Sequence, residues 1–373
     1  MGRHGGAGTP SRTHGACRLK ILHVVGARPN FPKLAPVYRE ARAAGVEQLV
    51  VHTGQHYDDA MSASFFRDLG LREPEVNLNV GSGSHAAQTA RIMERIEPVM
   101  LEAHPDWVVV YGDVNSTVAA ALVAVKIGLR VAHVEAGVRS GDRAMPEEIN
   151  RIVTDRLADL LLTPSRAADA QLRAEGEPAN EIAFVGNVMV DTLLYAVQRA
   201  RQTEFRRQVN GDGPPVVVTL HRPANVDDPQ RLLALAAALR AVAEERPVVF
   251  PVHPRTRARL LSEHIDMGRV RLLEPLGYLE MLDLVEGACL VVTDSGGLQV
   301  ESAALGVRCL TVRPTTEWPE TVECGANRLV PDPHALPAAV VAATTSRVID
   351  PPRPDGWDGM AAVRILDCLR STV

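Results

Sequence analysis

From Leu19 onward the chain alternates short apolar runs with longer stretches in which apolar residues recur every three or four positions. Runs of that length suit strands buried on both faces, and the intervening period is that of helices packed on one side. The pattern predicts strands at residues 20–25, 48–52, 107–111, 131–134 and 160–163 in the first half of the chain. A second series follows at 216–220, 248–252, 270–273, 289–293 and 308–312. Helical patterns fall between them, as over 116–127, where alanines and valines repeat at helical spacing. The two series lie on either side of the charged, glycine-containing stretch 199–215. An α/β fold of two Rossmann-like doubly wound domains facing a cleft is the economical solution. The expected division is a flexible tail over 1–17, a first domain over 18–200 and a second over 201–352, with 353–373 forming a helix that packs back on the first domain.

Composition narrows the range of partners. The 373 residues carry a net charge of −5, and the 23% that are charged mix both signs along the chain, which disfavours a nucleic-acid binder and a disordered polyelectrolyte. Of 40 basic residues only Lys20, Lys33 and Lys126 are lysine, leaving 40 − 3 = 37 arginines, a skew that reads as coding bias and not as a binding surface. The five cysteines are odd in number and lack close metal-ligand spacing, so no disulfide framework and no zinc site is expected, and a reducing cytoplasm fits. Residues 1–17 contain no apolar run of signal-peptide length, and no later stretch reaches the roughly 18 apolar residues of a membrane span. The expected partner is a small molecule or another protein, with no membrane or nucleic acid.

The polar motifs sit where the predicted strands end. GARPNFPK (26–33) follows the first strand, where backbone N–H groups and a helix start suit an anion, and Arg28 and Lys33 add two cations; a solvated loop is the alternative. GDVNST (112–117) places Asp113 before a helix, as an acid or, alternatively, as a cap together with Ser116. The strand 131–134 delivers Glu135 at its end, and MPEEINR (145–151) puts Glu147 and Glu148 in a first helical turn. There Glu147 and Arg151 stand four apart, so an intrahelical ion pair competes with a chemical role. Three carboxylates gathered at strand ends could remove and return a proton on opposite faces of one carbon, the chemistry of an epimerase or lyase.

In the second half, His221 and His253 each end an apolar strand, either as structural side chains or as donors to a leaving phosphate. TDSGGLQVE (293–301) is the most specific run. Ser295, Gly296 and Gly297 fall at a helix N-terminus able to hold a diphosphate, or form a plain tight turn. Glu301, about one and a half turns further on, could accept from ribose hydroxyls or face solvent. Neither G-x-G-x-x-G with a downstream acid nor a P-loop occurs, which argues against a nicotinamide enzyme or an ATPase.

Taken in order, GARPNFPKLAPV (26–37), TGQHYD (53–58), GDVNST, HVEAGVRS (133–140), MPEEINR, HRPANV (221–226), PVHPRTR (251–257) and TDSGGLQVE resemble the non-hydrolysing UDP-N-acetylglucosamine 2-epimerases across residues 19–330. The resemblance implies a glycosyltransferase-B type fold, UDP held by the second domain, no metal, no cofactor and a homodimer. It implies interconversion of UDP-GlcNAc and UDP-ManNAc through elimination of UDP to 2-acetamidoglucal and re-addition. By the same resemblance Asp113, Glu135 and Glu147 handle protons and His221 assists UDP departure. Arg28, Lys33, His253, Ser295, Gly296, Gly297 and Glu301 bind substrate. Alternatives are C2 epimerisation of a modified UDP-sugar such as a diacetamido-glucuronate, a glycosyltransferase of the same fold, or an inactive UDP-sugar sensor. The chain departs from the family where TTERPE becomes TTEWPE (315–320), so Trp318 replaces a cation. Arg313 or Arg328 would then compensate, or the substrate pose differs. Met281 stands where relatives place an aromatic residue against uracil.

Overall fold

A computed structural model describes residues 19–54, 69–209, 213–345 and 353–372. The predicted tail, residues 55–58 of the TGQHYD run and the Arg28 side chain lie outside the described residues. Two wholly parallel sheets organise the rest. The first contains β1 (Lys20–Val25), β2 (Glu47–His52), β3 (Val76–Asn77), β4 (Trp107–Tyr111), β5 (Val131–Val134), β6 (Leu160–Thr163) and β7 (Ile182–Phe184). Its order is β3-β2-β1-β4-β5-β6-β7. The second contains β8 (Val216–Thr219), β9 (Val248–Pro251), β10 (Arg271–Leu273), β11 (Leu290–Thr293), β12 (Cys309–Thr311) and β13 (Asn327–Leu329), ordered β10-β9-β8-β11-β12-β13.

All ten predicted strands are present, with ends displaced by no more than one residue. The strands that the pattern did not predict, β3, β7 and β13, are edge strands of two or three residues. An edge strand is covered incompletely and needs no continuous apolar run, so it leaves little periodic signal. Strands β4, β5 and β6 are buried along their whole length because helices lie on both sheet faces.

Helix Val188–Ala200 joins the two halves, packing on helix Phe31–Ala43 of the first and on helix Tyr278–Glu286 of the second. Its Leu193, Ala196 and Val197 meet Leu282, Val300, Ala303 and Trp357 in one apolar cluster. The chain then returns: helix Ala361–Ser371 buries Ile365, Leu366 and Leu369 beside Leu34 and Val37. Trp107 Nε1 donates to Leu369 O at 3.1 Å, and the buried Asp191 carboxylate accepts from the backbone of Ala361 and Ala362 at the helix start. The returning segment crosses Gly186, whose φ is +89°, and a Cβ there would lie 2.2 Å from Gly356 O. Gly186→Ala therefore combines backbone strain with a backbone clash. It is expected to lower the unfolding free energy by about 2 kcal/mol or more and to raise amide exchange across 361–371, as read by urea denaturation and hydrogen exchange.

Candidate active site

In each sheet the strand order reverses once, between β1 and β4 and between β8 and β11, and such a reversal opens a crevice beyond the strand carboxyl ends. The sequence motifs occupy both crevices. In the first, the Asn30 side chain accepts from the N–H groups of Gly26 and Ala27, both at 3.0 Å, and donates to Tyr111 O at 2.9 Å, fastening the loop after β1 to the end of β4. Gly26 must be glycine, because a Cβ would fall 1.9 Å from Ser116 Oγ. Lys33 donates to Glu135 at 2.6 Å, and its ammonium lies 2.8 Å from where a Gly112 Cβ would stand, so it spans two adjacent strand ends. Glu135 itself has φ +76°, a left-handed conformation that costs about 1–3 kcal/mol outside glycine and tends to be kept where a side chain must be aimed.

Arg151 is the second organiser. Its guanidinium reaches the Asp113 carboxylate and, at 3.0 Å, Glu148. The ion pair with Glu147 weighed from the spacing does not form, because Arg151 is turned toward these two acids. Nor does Asp113 or Ser116 cap the following helix: the N-cap of Asn115–Lys126 is Val114, without a side-chain bond. Asn150 donates to Asp113 O at 2.9 Å, so the helix Pro146–Leu157 is tied to the loop after β4 by two successive residues. Glu147 is left half-buried, with no hydrogen bond or ion pair among the described residues.

Glu148 is the structural acid of the pair. It is buried and accepts from Ser140 N and Oγ, Gly141 N and Arg151. Burial acts to raise its pKa, but the backbone and guanidinium donors outweigh it and hold the carboxyl below its ordinary range. Beneath the crevice, His133 joins Gly112 O at 2.8 Å to Asp155 at 2.6 Å, and Asp155 also meets Arg139. Glu148, His133 and Asp155 are not among the site residues expected from the sequence, since their roles arise from contacts with the loop over 137–141, with the end of β4 and with one another that spacing does not reveal.

The second crevice holds a cavity of about 300 Å³ lined by His221, His253, Ser295, Gly297, Met281 and Glu301, among others. Ser295 caps helix Gly296–Leu305 through its side chain and leaves the helix N-terminus at the cavity wall. Pro275, Leu276 and Met281 supply an apolar side. Burial pushes the Glu301 carboxyl up to about 7, against the opposing hydrogen bond from Tyr278. The His221 ring faces that of His253 at 5.9 Å between centroids.

His221 depends on a residue that sequence reasoning passed over. Asp294 is fully buried, meets His221 Nδ1 at 3.0 Å and accepts from the backbone of His221 and Arg222 and from Asn225 Nδ2. Despite burial, these donors, led by His221, keep its carboxyl below the ordinary range. The pairing fixes the imidazole and leaves Nε2 without a partner among the described residues. The one sequence signal for it is an acid directly before Ser295, and nothing in the local spacing ties that acid to the loop after β8. Arg328, considered as a replacement cation, lies on β13 beside a different cavity with Arg308 and Ala339, so it does not serve the helix N-terminus. Arg313 stands close to it.

The first-domain acids and the second-domain cavity residues thus form two sets. The domains meet where Gly137, Arg139, Ser165 and Gln171 line a cavity of about 130 Å³ with Glu317, Trp318 and Glu320. Among the described residues no helix is long and apolar enough to cross a membrane, and no group of three or more metal-binding side chains occurs.

Two facing doubly wound domains with a nucleotide-sized cavity at one strand reversal and clustered acids at the other define a glycosyltransferase-B type architecture. The sequence matches the family described as UDP-N-acetylglucosamine 2-epimerase over residues 39–370, and the chain belongs to that family. A UDP-N-acetylglucosamine 2-epimerase of Methanocaldococcus jannaschii is 40% identical over 361 residues, covering 93% of this chain and 99% of its own. A UDP-2,3-diacetamido-2,3-dideoxy-D-glucuronate 2-epimerase of Pseudomonas aeruginosa is 43% identical over 84% of this chain and 88% of its own. The crystal structure of the M. jannaschii protein in complex with UDP-GlcNAc and UDP covers 94% of this chain and 100% of that one, at 40% identity and a TM-score of 0.74.

The two neighbouring glutamates should separate cleanly in stability. Glu148→Gln is expected to lower the unfolding free energy by about 1–3 kcal/mol, because buried donors lose a charged acceptor. Glu147→Gln should stay within about 0.5 kcal/mol. Since the folded pKa of Glu148 is depressed, its contribution is complete above about pH 4.3, the unfolded value, and is lost as pH falls through the lower folded value. Urea unfolding at pH 7 and pH 3 checks both: the deficit of Glu148→Gln should shrink in acid.

Proposed function

We propose that this protein epimerises UDP-N-acetylglucosamine at C2, reversibly giving UDP-N-acetylmannosamine. The observation that carries the reading is the unequal pairing of three crevice acids. Asp113 is matched by Arg151, Glu135 by Lys33, and Glu147 by no charged group among the described residues. Two carboxylates held in place by cations and a third left without a partner at the same crevice give the set of proton-handling groups that removal and return of a proton on one carbon require.

In this reading one acid takes the C2 proton. The C–H electron pair becomes the C1–C2 double bond as the C1–O bond breaks, and UDP departs with the bonding electrons. Charge then develops on the β-phosphate, where the amides of Gly296 and Gly297 and a proton from His221 meet it. Asp294 holds the His221 ring for that task. Re-addition of UDP to C1, with protonation of C2 from the other side, completes the exchange without any oxidant. Glu301 receives ribose hydroxyls, while Pro275, Leu276 and Met281 take the uracil. Arg28 and His253 complete the binding set, and Lys33 acts through Glu135 on the sugar side. The first domain, with the returning helix, carries the acids, and the second, beginning near residue 201, carries UDP.

A second reading keeps the chemistry and changes the sugar to a UDP-diacetamido-glucuronate; it is supported by 43% identity to a relative named for that substrate. The cytoplasm is proposed as the compartment, on the cysteines among the described residues, Cys289, Cys309, Cys324 and Cys368, all of which are free. We propose a homodimer as well. It is supported by Met145 at the N-cap of helix Pro146–Leu157 and by Ile149 and Val153 on it, three apolar side chains exposed at four-residue spacing. Light scattering should give twice the chain mass of 40.3 kDa, and a monomer mass at assay concentration would reject the dimer.

Incubation with UDP-GlcNAc in deuterium oxide should place deuterium at C2 and yield UDP-ManNAc, with Glu147→Gln retaining UDP binding and losing at least about a hundredfold in turnover. If exchange occurs only with the diacetamido-uronate, the second reading holds. If neither sugar exchanges, both fail.

A further inference from the structure

The replacement of a cation by Trp318 leaves the question of which group neutralises the diphosphate. Helix Gly296–Leu305 begins beside a side chain that is already anionic. Glu317 Oε2 stands 3.5 Å from where a Cβ on Gly296 would lie, and Trp318 Nε1 stands 3.8 Å from the same point. The carboxylate is gripped by both arms of Arg313, at 2.7 and 2.8 Å, and Arg222 approaches it at 3.4 Å. Arg222 directly follows His221, and its backbone N–H is held by Asp294. Two guanidinium groups and a helix N-terminus thus converge on one carboxylate at the edge of the proposed phosphate position.

Exposure tells which partner can leave. The Arg313 side chain is 13% exposed at the end of β12, whereas that of Glu317 is 46% exposed on a loop. A diphosphate offers a guanidinium fork the same paired oxygens as a carboxylate, with more charge. Two arginines against one carboxylate leave one positive charge in excess.

Resting on the UDP-sugar reading above, we propose that Glu317 is a built-in stand-in for the substrate's diphosphate. It holds Arg313 and Arg222 until the incoming diphosphate displaces it and takes both over. Arg313 then supplies the cation that Trp318 does not. The tight hold of Arg313 also keeps the Glu317 carboxyl at about 2, so the exchange trades one full negative charge for another of higher valence.

Calorimetric titration with UDP and with uridine, at one ionic strength, tests the exchange. Glu317→Gln and Glu317→Ala should bind UDP about tenfold tighter than the native chain, about 1.4 kcal/mol. Arg313→Gln should bind about tenfold weaker, and adding Glu317→Gln to it should restore little. Uridine, lacking phosphate, should bind all of them alike. Unchanged or weaker UDP binding by both Glu317 variants overturns the proposal, as does unchanged binding by Arg313→Gln. A native chain that binds uridine and UDP equally would instead sink the diphosphate reading of the helix N-terminus itself.

Discussion

A parallel sheet whose strand order reverses must leave a crevice at the reversal, because the flanking loops leave in opposite directions. Both sheets here obey that constraint, and Asn30, Asp113, His221, Asp294 and Ser295 all lie within a few positions of the ends of β1, β4, β8 or β11, with further site residues supplied by the neighbouring strands and helices. The crevice of the first sheet is closed by a carboxamide, Asn30, that ties two strand ends together through three hydrogen bonds. The crevice of the second is closed by a carboxylate, Asp294, that collects backbone and side-chain donors from the loop after β8. Each is a short polar side chain, buried and satisfied, and each sets the position of groups that it does not resemble chemically.

The strand pattern was legible because β-strands buried on two sides need continuous apolar runs, and helices covering them need a different period. Where that need lapses, at the edge strands β3, β7 and β13, the pattern falls silent. The site was legible to the extent that strand ends can be located: Asp113, Glu135, His221 and Ser295 all follow predicted strands by one to three residues. What spacing does not convey is which partner a charged residue chooses. Arg151 is four residues from Glu147, yet it bonds to Glu148 and crosses to Asp113, because the loop after β4 brings a second carboxylate within reach. Asp294 is adjacent to a serine with an obvious local task, and its own task lies more than seventy residues away in the chain.

Adjacent acids in one helical turn therefore have opposite circumstances. Glu148 is surrounded by donors and serves as the anchor of the loop that precedes its helix. Glu147 is spared such obligations. A carboxylate whose lone pairs are engaged by buried donors is held in one place, and one without such partners is left to meet a ligand. The same distinction separates Asp294, which is fixed, from the histidine that it orients.

The return of helix Ala361–Ser371 to the first domain means that the polypeptide passes between the two domains twice, once through helix Val188–Ala200 and again before Trp357. A single crossing would act as a swivel. Two crossings side by side, packed together through Trp357 and Val197, behave as the two knuckles of a door hinge. Joined at two places instead of one, the domains lose the free rotation that a single covalent link would leave between them.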